Sequence, residues 1–146
     1  MKIQLAPTFS KQHFEAITLR EQILGTTVNL NQEAKRTTFV AIEEGKVVGT
    51  AAIQLYPFGF ARIRQVAVSP DSQKRHIGSQ LMDRCEAFAR EQRAAKVILT
   101  GRKSASLFYL KRDYHVFLFP FSKHQIDFFW FAKKLETTPY TTEESL

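Results

Sequence analysis

The chain predicts an α/β fold: a mixed, mostly antiparallel twisted sheet flanked by helices. Two observations carry this. The segment from Phe60 to Thr100 reads as strand, polar turn, helix and strand. Two strands joined through a helix run parallel, so this unit is the central crossover. On either side lie apolar runs joined by short turns, which read as antiparallel pairs. Size agrees: 146 residues with 44% hydrophobic content suit one domain with a proper core.

In order, Lys2 to Ala6 is a short first strand. Ser10 caps a helix from Lys11 to Leu24, with Phe14, Ile17 and Leu24 at helical spacing and Gly25 as its stop. Residues 26–36 are polar and carry no clear periodicity. Phe39 to Ile42 and Lys46 to Tyr56 are strands joined by a hairpin turn at Glu43-Glu44-Gly45, and Pro57 and Gly59 break the chain before the strand Phe60 to Val68. A helix from Ile77 to about Gln92 places Ile77, Leu81, Cys85 and Phe88 on one stripe. Ala95 to Thr100 is the next strand and Ser104 to Lys111 a short helix. His115 to Phe121 and Ile126 to Leu135 close the sheet. The polar tail from Glu136 is expected to fray, leaving residues 1–146 as a single domain with a flexible end.

Composition narrows the function classes. A single cysteine, Cys85, excludes an intramolecular disulfide and a cysteine-based metal site, and four scattered histidines lack metal-ligand spacing. No metal is expected. No signal core and no membrane-length apolar segment is visible, so a cytoplasmic protein without a membrane partner is the expectation. The formal net charge of +7 fits an anionic cofactor or an acidic substrate. Nucleic acid is disfavoured, because the basic residues do not interleave with aromatics in a stacking pattern.

The turn before the central helix is the most informative stretch. Gln73-Lys74-Arg75-His76-Ile77-Gly78-Ser79 links an apolar strand to a helix N-terminus. Free backbone N–H groups and the positive end of the helix dipole face such a turn, and Lys74 and Arg75 add full charge. A phosphate-bearing ligand is the natural guest.

The same turn resembles the cofactor loop of the GNAT N-acetyltransferase family, which reads Arg or Gln, two residues, Gly, one residue, then Gly or Ala. Gln73 and Gly78 fill the outer places, and His76 stands where the first Gly is expected. Phe108-Tyr109-Leu110-Lys111-Arg112-Asp113-Tyr114 resembles the family's Phe-Tyr-x-x-x-Gly-Phe signature, with Asp113 in the Gly place. Arg102 occupies the place of a frequent Asn. The closing pair around Phe119-Pro120-Phe121 and Ile126 to Leu135 resembles the family's last hairpin. The resemblance spans about Phe14 to Leu135.

The resemblance implies an acyl-CoA N-acyltransferase fold, acetyl-CoA as cofactor, and direct transfer of the acetyl group to an amine in a ternary complex. Residues 73–79 would hold the pyrophosphate, with the Ser79 hydroxyl as a further donor. The backbone of Val66, Ala67 and Val68 would hold the pantetheine arm and polarise the thioester carbonyl. Phe108 would line the cofactor. Tyr109 would donate a proton to the departing thiolate.

A general base is not evident. The family often carries Glu where this chain has Arg62, and no carboxylate lies between Gly45 and Asp71. Glu15, Glu21, Glu33 or a water chain remain, or no base at all. Arg62 and Arg64 instead suggest an acceptor with a carboxylate or phosphate beside its amine. They share a strand face with Val66 and Val68 by period two, unless a bulge intervenes. The acceptor is otherwise a small-molecule or protein amine.

Other residues read as structural. Cys85 belongs to the core, and His13, His115 and His124 are isolated. The run Phe128-Phe129-Trp130-Phe131 has no polar face, so a helix on each side or a homodimer contact must cover it. A catalytically weak or inactive acyl-CoA-binding sensor or interaction domain is the alternative function.

Overall fold

The computed structural model describes residues 1–73 and 76–136. Seven strands form one sheet in the order β1-β2-β3-β4-β5-β7-β6. The strands are β1 (Lys2–Ala6), β2 (Thr37–Glu43), β3 (Lys46–Tyr56), β4 (Phe60–Val68), β5 (Lys96–Arg102), β6 (His115–Lys123) and β7 (Ile126–Lys134). The helices are α1 (Lys11–Leu24), α2 (Leu30–Glu33), α3 (Ile77–Glu91) and α4 (Ser106–Lys111). The pairs β1–β2, β2–β3, β5–β7 and β6–β7 are antiparallel, and β4–β5 is parallel across the α3 crossover. The expected mixed, mostly antiparallel sheet is what forms. The short α2 lies in the polar stretch that carried no periodicity; its start is fixed by Asn29, whose side chain accepts from the Asn31 and Gln32 N–H groups.

The chain divides into two compact units, Met1–Gln54 with Ile63–Phe88, and Leu55–Arg62 with Ala89–Leu146. In the first unit, Ser10 accepts from the His13 N–H and Gly25 ends α1 at φ 65°. The buried face of α1 is His13, Ala16, Ile17, Leu19 and Arg20, whereas Phe14 is exposed. The expected stripe is thus rotated, because Phe14 stacks outside on Phe9 while His13 and Arg20 point inward with a buried carboxylate to meet them. The β2–β3 hairpin closes through Glu44 and Gly45, both at positive φ, a two-residue turn whose twist matches the strands. The core face of α3 is Ile77, Leu81, Met82, Cys85 and Ala89, all 2% exposed or less. Phe88 lies at the margin of that face, edge-on to Phe39. Gly49 on β3 lets α3 come close: a Cβ there would sit 3.0 Å from Ile77 Cγ2 and 3.1 Å from Leu81 Cδ1.

In the second unit, β4 and β5 pair from Phe60↔Lys96 to Arg62↔Ile98. Phe131 is fully buried on β7, but Phe128, Phe129 and Trp130 are only half-buried. Phe117 and Phe121 of β6 lie against Trp130, and Phe121 also stacks on Phe128.

Candidate functional site

The first unit holds the strand end and the turn before α3. Ala67 is buried, and Val66 and Val68 are half-buried. Gln65 takes a left-handed φ of 56° within β4, yet the alternation in burial continues past it, with Ala61, Ile63 and Ala67 buried and Arg62, Arg64, Val66 and Val68 half-buried. The strand end is tied down twice: the Ser69 N–H donates to the Val48 carbonyl at 2.8 Å, and Gln73 Nε2 donates to the Val68 carbonyl at 3.1 Å. A short 3₁₀ turn over Pro70–Ser72 leads on to Gln73. Lys74 and Arg75, both expected to face the ligand, lie outside the described residues.

His76 stands immediately before α3 with φ 60°, and its carbonyl accepts from the Gln80 N–H at 3.0 Å. The N–H groups of Ile77, Gly78 and Ser79 therefore precede the first intrahelical donor and face out of the helix start. The backbone at His76 holds the left-handed shape that a glycine would adopt without strain. Ile77 is buried and anchors the turn, while Gly78 and Ser79 are half-buried.

The second unit holds Tyr109. It is 9% exposed and packs edge-on against Phe108 and Tyr114, with Phe131 tilted beside it at 5.0 Å between centroids. Gly101 makes room for the ring, since a Cβ there would lie 2.6 Å from Tyr109 Cε2. The end of α4 fixes Tyr109 from the other side. The Tyr114 N–H donates to the Tyr109 carbonyl and the Asp113 N–H to the Leu110 carbonyl, with Asp113 at φ 70°. These are the paired bonds of a Schellman cap, and the Tyr114 and Tyr109 rings make its accompanying apolar contact. Asp113 thus again keeps a backbone shape that favours glycine. Burial pushes the Tyr109 hydroxyl above the ordinary tyrosine value of 10.0, and the opposing influence of Arg112 does not cancel it.

The two β4 arginines have different neighbours. The Arg62 guanidinium lies over the Trp130 ring at 4.9 Å from its centroid. Arg64, in the first unit, lies close enough to Arg36 to oppose its charge.

Arg36 belongs to a buried cluster. Glu33 is 1% exposed. Its Oε1 accepts from Arg20 Nη1 and faces His13 Nε2 at 3.1 Å, and its Oε2 meets Arg36 Nη1 at 3.0 Å. Arg20 Nη2 donates to Thr38 Oγ1 at 3.0 Å. His13 Nδ1 accepts from the Phe9 N–H at 2.7 Å, so the ring proton sits on Nε2, toward Glu33. His13 is therefore not isolated. Glu33 also does not serve as the missing base. Burial alone would raise its carboxyl, but the Arg20 and Arg36 charges and the hydrogen bonds from Arg20 and His13 bring it below 4.5, and both oxygens are engaged. Glu15 is half-buried and Glu21 exposed on α1.

Sequence reasoning missed Gly49, Gly101 and Arg36. An isolated glycine inside a strand is a signal for close approach, and it was there to read at both glycines. Arg36 had no such signal. Cys85 is fully buried, as expected; His115 and His124 are exposed. Among the described residues, no helix is long and apolar enough to cross a membrane, and no group of His, Cys, Asp and Glu could hold a metal ion.

Solved structures match the whole arrangement. An aminoglycoside 6'-N-acetyltransferase complexed with coenzyme A superposes with a TM-score of 0.77 at 13% identity, covering 95% of this chain and 99% of its own. A GNAT family acetyltransferase from Elizabethkingia anophelis with acetyl-CoA bound gives 0.73 at 14%, covering 92% and 97%. The ribosomal-protein-S18-alanine N-acetyltransferase from Escherichia coli gives 0.76 at 15%, covering 94% and 96%. At these identities the likeness speaks for the fold. No curated protein matches the chain. The model of the acetyltransferase (GNAT) family matches residues 4–114, which is most of the sequence, and the chain belongs to that family.

Proposed function

We propose that the protein is an N-acetyltransferase that carries the acetyl group of acetyl-CoA directly to an amine acceptor. The observation that carries the reading is the match to the acetyltransferase (GNAT) family over residues 4–114, with the N–H groups of Ile77, Gly78 and Ser79 open at the start of α3. His76 and Asp113 replace glycines of the family pattern, yet both hold positive φ, at 60° and 70°.

When bound, acetyl-CoA supplies a thioester whose acyl carbon an amine attacks and whose sulfur must leave. The chain's own groups divide the remaining work. The N–H groups of Ile77, Gly78 and Ser79, at the positive end of α3, suit a pyrophosphate. The backbone of Val66–Val68, beyond the stretch where β4 pairs with β5, suits the pantetheine arm and the carbonyl oxygen. Tyr109 holds its proton at neutral pH and is the donor for the departing sulfur, and Phe108 flanks it. No carboxylate is assigned as base, and the acceptor amine enters as the free base or through water.

Incubation with acetyl-CoA and a mixed amine panel, following thiol release, tests this. Acceptor-dependent release is expected. Thermal stabilisation by CoA without release from any amine would instead identify a CoA-binding module. Tyr109→Phe should lower kcat by about 10²-fold or more with CoA affinity retained. Unchanged kcat would remove Tyr109 from the chemistry. Because burial raises the hydroxyl, the loss of this acid in kcat should have its midpoint above pH 10.0.

A further inference from the structure

The buried cluster under α1 carries more positive charge than its carboxylate balances. Among the described residues, Glu33 is the one carboxylate that Arg20 and Arg36 touch, and both its oxygens are already engaged. The Arg36 side chain is itself only 9% exposed. Both of its hydrogen-bonding contacts run through Nη1, to Glu33 Oε2 at 3.0 Å and, at the long limit of 3.5 Å, to Gln65 Oε1. Its buried Nε has no hydrogen-bond partner. Arg64, next in the chain to the Gln65 that Arg36 meets, is a second cation close enough to act on Arg36. Burial, then Arg64, weaken the hold of Arg36 on its proton, and Glu33 opposes this without cancelling it. A guanidinium desolvated among like charges is costly unless an anion completes the group.

Placement tells where such an anion lies. Arg64 precedes Val66–Val68 on the same strand, β4. Resting on the acetyl-transfer reading, we propose that Arg36 and Arg64 receive the carboxylate or phosphate of the acceptor, an amine that also carries an anionic group. Glu33 acts here as a positioning residue that holds Arg36 in the site. Arg62 lies in the other unit, over the Trp130 ring.

Calorimetric titration of the CoA-saturated protein with citrate, and separately with inorganic phosphate, tests the site without requiring turnover. Saturation with CoA keeps the probes off the α3 turn. Wild-type protein should bind at least one probe at millimolar concentration, and whichever binds more tightly identifies the group, carboxylate or phosphate. Arg64→Gln should weaken binding at least tenfold, and Lys134→Gln, an exposed cation of the other unit, should leave it unchanged. Arg36→Gln should act like Arg64→Gln; should it fail to fold, half-buried Arg64 alone decides. Equal binding by wild type and Arg64→Gln, or no binding by wild type, overturns the proposal. In the amine panel, amino acids should react faster than their amides in wild type, and Arg64→Gln should lose the preference. Reaction with polycationic amines alone overturns the anion site and leaves acetyl transfer standing. If neither CoA stabilisation nor thiol release occurs, the transfer reading fails, and the Arg64 dependence of the titration without CoA still judges the site.

Discussion

On the proposed function, the turn before α3 and the cluster beneath α1, both in the same unit of the molecule, hold charge by opposite means. The turn uses backbone. Its donors are the N–H groups of Ile77, Gly78 and Ser79, and its shape depends on a left-handed residue at His76 and on a short bond from Ser69 to Val48. The cluster uses side chains: Glu33, Arg20, Arg36 and His13 meet within hydrogen-bonding distance although 13 to 20 residues separate α1 from Glu33. A backbone site tolerates substitution of its side chains as long as φ and ψ survive. A buried ionic cluster does not, because removing one member strands the charges of the rest.

The sharpest way to break this contrast is Glu33→Gln. It leaves Arg20, which is fully buried, and Arg36 without a counter-charge. Loss of about 3–5 kcal/mol of stability is expected, read from the midpoint of urea unfolding. A loss under about 1 kcal/mol would mean that Arg20 and Arg36 find other partners, and the cluster would not be the anchor described.

The same carboxylate should also govern acid stability. Its folded value lies below the unfolded 4.5, so its contribution is complete above that pH and fades as pH falls through the folded value. Wild type should therefore lose stability on acidification below about 4.5, more steeply than Glu33→Gln does. Parallel slopes for the two proteins in urea titrations at a series of pH values would place the acid sensitivity elsewhere.

The contrast also explains what the sequence made legible. Local signals read correctly: Ser10 and Gly25 bracket α1, the Glu44-Gly45 turn sets the β2–β3 hairpin, and the α3 stripe is anchored by Ile77, Leu81 and Cys85. Each is decided by neighbours within a few residues. The turn before α3 was legible for the same reason. The cluster was not, because no local rule says that a histidine and an arginine on α1 will be buried by a glutamate on α2. That long-range pairing also turned Phe14 outward, which periodicity alone could not foresee. Between the two lay Gly49 and Gly101, visible as isolated strand glycines, whose meaning required the ring or helix that crowds them.

The smallest effect is the most discriminating about the turn. His76→Gly and Asp113→Gly restore the residue that each left-handed position favours. A non-glycine residue at such a φ costs roughly 1–2 kcal/mol, and glycine gives back about 0.5–1 kcal/mol through the freedom of the unfolded chain. A net gain of about 0.5–1 kcal/mol is expected for His76→Gly. It should be smaller for Asp113→Gly, because aspartate visits this region more readily than most residues. For His76→Gly the gain should come with equal or tighter CoA binding by calorimetry, since the N–H groups of Ile77–Ser79 keep their places while a side chain is removed from the approach. Weaker CoA binding in a more stable protein would show that the imidazole itself contacts the ligand, and the turn would then hold its guest with a side chain as well as with backbone.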